Sequence, residues 1–274
     1  MAEILFRSKG VGVLPDYNTE LSKLGSITSI NIIIETISFY AKWGDLDKVK
    51  NEFIQNNAFG INMSSTRKNY YEAIKRLFLK DLDSKDRMFF INTLASDYPD
   101  NKYKKTVLYL EIFRQNDLLK KLTLDLIWKK YHENRRLITS KEVYDFLIEL
   151  KKDDEDMNLS ESTLKRLSSR YISFMKKLSL FEPENRLKSM IVYPYPSKEL
   201  ITYIVYLSKA AGKDDHEIYE SALYLALMLE EEERIELLKQ GSLAGYYKFN
   251  FAGKRNVSFE LNYEREEIID AIFR

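Results

Sequence analysis

The chain has 274 residues, 45% of them hydrophobic and 31% charged, with a formal net charge of +1; such a chain folds into one large or two ordinary domains and is not a disordered tail. It has no cysteine and two histidines, His132 and His216, which removes disulfides, thiolate metal sites and cysteine nucleophiles and leaves little imidazole chemistry. Nine glycines and five prolines make tight turns scarce, so the expected fold class is all-α, with sandwiches and barrels nearly excluded.

In chain order, Ile30, Ile33, Ile34, Ile37 and Tyr40 recur at helical spacing and predict a helix over residues 27–40, stopped by Gly44. Asp45 caps a second helix running to Gln55. A third begins at Ser64 or Ser65, buries Tyr70, Tyr71, Ile74, Leu77 and Phe78, and exposes Arg67, Lys68, Lys75 and Lys80. Further helices are expected over 85–98, 102–115 and 117–134. Residues 1–137 thus read as one domain, a helical bundle with short connections.

Residues 138–274 read as a second helical domain. Thr139 and Glu142 form a T-x-x-E capping box ahead of an apolar face of Val143, Phe146, Leu147 and Leu150. After a polar loop, Ser160 is a good cap for the next helix. There Leu164, Leu167, Tyr171, Phe174 and Leu178 line the core, while Ser162, Lys165, Arg166, Ser169, Ser173, Lys176 and Lys177 share the other face. Hydroxyls and long cations without a carboxylate suit phosphate and base edges, although a merely solvated face has the same composition. Two helices, the second positive, is a helix-turn-helix-like arrangement with a long connection. Helices over 197–211 and 215–230 follow Pro194 and Pro196. Finally, Tyr247, Phe249 and Phe251 alternate, Ala252-Gly253-Lys254-Arg255-Asn256 turns, and Val257, Phe259 and Leu261 alternate again. This predicts a small C-terminal β-hairpin, either a wing with Lys254 and Arg255 against a phosphate backbone or a plain cap.

The near-neutral total conceals opposed patches. Residues 102–136 hold ten basic and four acidic side chains, residues 160–190 seven and three, and residues 214–236 one and nine. Such segregation suits a protein that meets a polyanion on one side and solvent or a basic partner on the other. No P-loop or G-x-S-x-G motif is present, and Gly10 and Gly12 lack the remaining glycines of a dinucleotide loop. Asp214-Asp215-His216-Glu217 could ligate a metal, but acids opening a helix are explained by capping. The expectation is a non-enzyme with no cofactor, no metal and no small-molecule substrate. With no apolar stretch near ~18 residues and no secretory segment in MAEILFRSKG, a cytoplasmic protein that touches no membrane is expected.

The segment from Asn158 to Pro196, and within it most specifically Ser160, Ser162, Thr163, Leu164, Lys165, Arg166 and Leu167, resembles the signature region of the BrxA family of BREX bacteriophage-exclusion systems. The run Asn57, Phe59-Gly60 and Ser65-Thr66-Arg67, followed by Arg76 and Leu77, resembles that family's amino-terminal half. The resemblance implies a NusB-like amino-terminal domain, a helical carboxy-terminal domain, and a non-catalytic protein that binds double-stranded DNA beside other BREX subunits. The contacts expected are Lys165, Arg166, Ser169 and Arg170, supported by Lys176 and Lys177, with Arg67 and Lys68, and Lys254 and Arg255, as further patches. Two alternatives stay open: an adaptor docking another BREX subunit through residues 214–236, and a NusB-like RNA binder using the basic helices of residues 102–136.

Overall fold

Side-chain caps set most of the helix starts in the computed structural model, which describes residues 17, 19–154, 157–254 and 256–273. α1 (Glu20–Ser26) precedes α2 (Ile30–Trp43), which ends as expected at Gly44, left-handed with φ 60° and donating to the Tyr40 carbonyl. Asp45 accepts from the amides of Asp47 and Lys48 to open α3 (Leu46–Lys50), which continues into a π-helical turn, Asn51–Gln55. Then come α4 (Ser64–Phe78), α5 (Lys85–Ala95), α6 (Asn101–Gln115) and α7 (Asp117–Lys121). The helix expected over 117–134 widens into a second π-helical stretch, Leu122–Trp128, before α8 (Lys129–His132).

The next five elements form one unit: β1 (Leu137–Thr139), α9 (Ser140–Asp153), α10 (Glu161–Lys177), β2 (Phe181–Pro183) and β3 (Lys188–Ile191). Both predicted caps are present: Thr139 and Glu142 form the capping box of α9, and Ser160 accepts from the Thr163 amide to start α10. The strands make an antiparallel sheet in the order β1-β3-β2, with Leu137 facing Met190 and Phe181 facing Ile191. No strand is predicted here from the pattern, because three or four residues are too few for a period of two to stand out, and Pro183 argues against a strand unless it lies at an edge, as β2 does.

α11 (Lys198–Ala210) leads to α12 (Asp215–Tyr219) and α13 (Ala222–Ala226), where one helix was expected; Ser221 caps the second of them. α14 (Glu231–Leu243), the hairpin β4 (Tyr247–Phe251) and β5 (Val257–Leu261), and α15 (Ile268–Phe273) complete the chain. Among the described residues the protein is therefore mostly helical with two small antiparallel sheets.

One apolar core runs from Tyr17 to Ile272. α1 lies directly on α10: a Cβ on Gly25 would sit 2.8 Å from the Arg170 carbonyl carbon, so only glycine allows this approach. α5 meets α11, where Phe89 stacks on Tyr203 at 5.4 Å. Beneath them Glu111, fully buried, is held by Arg87 at 2.6 Å and Arg114 at 2.9 Å, the pairing a buried carboxylate requires. No single helix among the described residues is long and apolar enough to cross a membrane.

Candidate nucleic-acid interface

α10 is held from two sides. α9 and the β1-β3-β2 sheet pack on one side and α1 on another, burying Leu164, Leu167, Tyr171, Phe174 and Leu178 as the helical spacing predicts. Tyr171 meets Phe181 of β2 edge to face at 5.9 Å, which ties helix and hairpin together. The outer face presents Lys165, Arg166, Ser169 and Arg170 to solvent, with Ser173 and Lys176 half-buried below. The Ser169 hydroxyl donates to the Lys165 carbonyl. Lys165, Arg166, Arg170 and Lys176 make no ion pair with any described residue. Unpaired cations on a rigid helix are the groups that gain most from a phosphate partner, since no internal carboxylate must first be released.

Beside this face an open cleft of about 560 Å³ separates α10 from α1 and α4, lined by Ser22, Lys23, Arg76, Arg166 and Arg170, with Glu72 as its carboxylate. Lys23 and Arg76 both pair with Glu20 at 2.9 Å. These two cations are absent from the expected set. Nothing local marks them, because they join Arg166 and Arg170 only through the packing of α1 and α4 beside α10.

Other expected contacts are already engaged. Lys177 donates to the carbonyls of Gly25, at 2.8 Å, and Ile27, closing the C-terminus of α1; burial, with the neighbouring Arg170 charge, lowers its ammonium pKa. Arg67 donates to the carbonyls of Ile54, Ile61 and Asn62, pinning the loop that precedes α4. Lys68, its neighbour, is exposed and unpaired among the described residues. Lys254 pairs with Glu231 of α14 at 2.6 Å; that hydrogen bond raises the ammonium pKa and lowers that of the carboxyl. Arg255, Gly10 and Gly12 lie outside the described residues.

The remaining candidates have local roles. Asp214 and Glu217 form the capping box of α12, and Asp215 pairs with Lys209 at 2.6 Å. His132 lies against the Trp128 ring, with Nδ1 3.6 Å from Glu230. Thus α10 and the cleft gather Lys165, Arg166, Ser169, Arg170 and Lys176 with Lys23 and Arg76, while Arg67 and Lys177 stitch the fold and Lys254 belongs to a separate, acidic end.

The family model described as BrxA matches residues 16–207, well over half of the chain. No curated protein and no solved structure matches.

Proposed function

The chain belongs to the BrxA family, components of BREX phage-defence systems, and from that premise we propose that it binds double-stranded DNA through α10 without catalysing a reaction. The observation that carries this reading is the outer face of α10, where Lys165, Arg166 and Arg170 are exposed and none has a carboxylate partner among the described residues. A helix pair with the cationic member second, backed by a three-stranded sheet in the order β1-β3-β2, supports a winged helix-turn-helix reading in which α10 enters the major groove. Contacts are mainly to phosphate, so sequence preference is weak and salt dependence steep.

The test is a fluorescence-anisotropy titration against an unrelated duplex and a structured RNA at several salt concentrations. The double variant Lys165→Ala, Arg166→Ala should lose at least about tenfold in duplex affinity and about two from the salt slope. Unchanged affinity and slope in a folded variant, or tighter binding to RNA than to duplex, overturns the proposal.

A second reading, docking of another BREX subunit, is favoured by one surface. Glu232, Glu236, Lys239 and Leu243, the last 87% exposed, follow one another along one face of α14. Charge reversal at Glu231, Glu232 and Glu233 separates the two readings: it removes a partner subunit in a pull-down and leaves α10 free to bind duplex.

A further inference from the structure

The β2–β3 hairpin projects beyond the sheet that holds it. β1 ends where Thr139 faces Lys188, so residues 184–187 have no third strand beside them. The turn is ordered nonetheless. The Asn185 side-chain oxygen accepts from the amides of Leu187, at 2.9 Å, and Lys188, at 3.0 Å, while the Lys188 carbonyl accepts from the amides of Glu184 and Asn185. This is the self-bonded aspartate/asparagine turn that fixes a loop without packing it. At the tip Arg186 is exposed, Leu187 is 78% exposed, and Lys188 follows on β3; neither cation has a carboxylate partner among the described residues.

The hairpin is also fixed in direction. Only residues 178–180 separate α10 from β2, the Val192 amide donates to the Leu180 carbonyl at 2.9 Å, and the Phe181 ring packs on Tyr171 of α10. A segment so short and so anchored moves with the helix.

Resting on the reading of α10 as the DNA-binding helix, we propose that this hairpin is the wing, and that Arg186 enters the minor groove next to the major-groove segment occupied by α10. Lys188 takes the flanking phosphate and Leu187 lies against the sugar edge. Arginine suits this position because its guanidinium is weakly hydrated and the minor groove is most negative where A·T tracts narrow it. Glu182 and Glu184 are exposed on the β2 side of the hairpin and repel phosphate, which leaves the Arg186 and Lys188 side as the approaching edge. DNA contact by this hairpin also gives a role to an exposed leucine between cations, which costs solubility and stabilises nothing within the chain.

The experiment titrates the full chain against two duplexes that differ only beside the α10 site, one flanked by an A·T tract and one by G·C pairs. Arg186→Ala should weaken binding to the A·T-flanked duplex by roughly three- to tenfold, with a smaller loss on the G·C-flanked one and about one unit from the salt slope. Arg186→Lys should recover the slope but not the A·T preference. Glu184→Gln should tighten binding to both. Because the tip is solvent-exposed, all three variants should unfold at the wild-type temperature. If Arg186→Ala binds both duplexes as wild type does, while Lys165→Ala, Arg166→Ala is weakened, the wing assignment is wrong and the α10 reading survives. If wild type binds neither duplex, both fall together.

Discussion

The β4–β5 hairpin has five residues in each strand, places Phe249 on Phe259 at 5.0 Å, buries Tyr247 and packs on α12 and α14. The β2–β3 hairpin has three and four residues, a proline in its edge strand, and a tip that nothing covers. Their charges differ in the same sense. Lys254, at one tip, is matched by Glu231, whereas Arg186, at the other, has no such partner among the described residues. The regularity that makes a hairpin conspicuous in a sequence comes from burying its faces, and at this one the described tip cation, Lys254, is already matched by a carboxylate. The irregular hairpin, attached to the cationic helix, is the one with charge to spend.

Several substitutions sharpen this contrast or break it. The largest effect is expected at the seam that orients α10. Gly25→Val forces α1 away from the Arg170 backbone and should cost about 4 kcal/mol in denaturant unfolding, whereas a loss below about 1 kcal/mol would show that the seam yields freely. Phe259→Ala, in the packed hairpin, should cost about 3 kcal/mol of stability yet leave the duplex affinity of the folded fraction unchanged; a fall in affinity comparable to that of the Lys165→Ala, Arg166→Ala variant would erase the distinction between the two ends. Glu231→Gln frees Lys254 from an exposed pair, so duplex affinity should rise by about threefold or less, measured by the same anisotropy titration.

The smallest effect is a pH dependence under the sheet. Burial alone would raise the Glu142 carboxyl pKa, but hydrogen bonds from Lys130 and Thr139 outweigh it and hold that value below normal. The stabilisation is therefore complete above the ordinary carboxyl range and lost as pH falls through the lowered folded value. Glu142→Gln should flatten the acid side of the stability profile, and an unaltered profile would show that Lys130 finds its compensation elsewhere.

Much of the helical frame is legible in the sequence because capping and periodicity are local. Gly44, Asp45, Ser160 and the Thr139–Glu142 box act where they stand, and the stripe from Leu164 to Leu178 is buried as its spacing demands. The interface is only half legible. The cations of α10 are visible as a helical face, but Lys177 and Arg67 look equivalent to them until the carbonyls they bind, far away or across a loop, come into place. Lys23 and Arg76 reach the cleft through tertiary packing that no window of sequence contains. The strands around α10 escape notice because sheet pairing between residues 137–139 and 188–191 substitutes for the hydrophobic alternation that longer strands need.

The contact between Gly25 and α10 also sets an order of events during synthesis. The Lys177 ammonium and the Gly25 carbonyl it caps are 152 positions apart, so α1 leaves the ribosome roughly 10–30 s before the helix it must dock against. Until then Leu21 and Leu24, buried in the finished fold, have α4 beside them but not α10, and the nascent chain carries a partly open apolar edge. Contacts of such long sequence separation close late and slowly. The helix on which the DNA proposal rests is therefore aligned late in folding, when α1 docks against it.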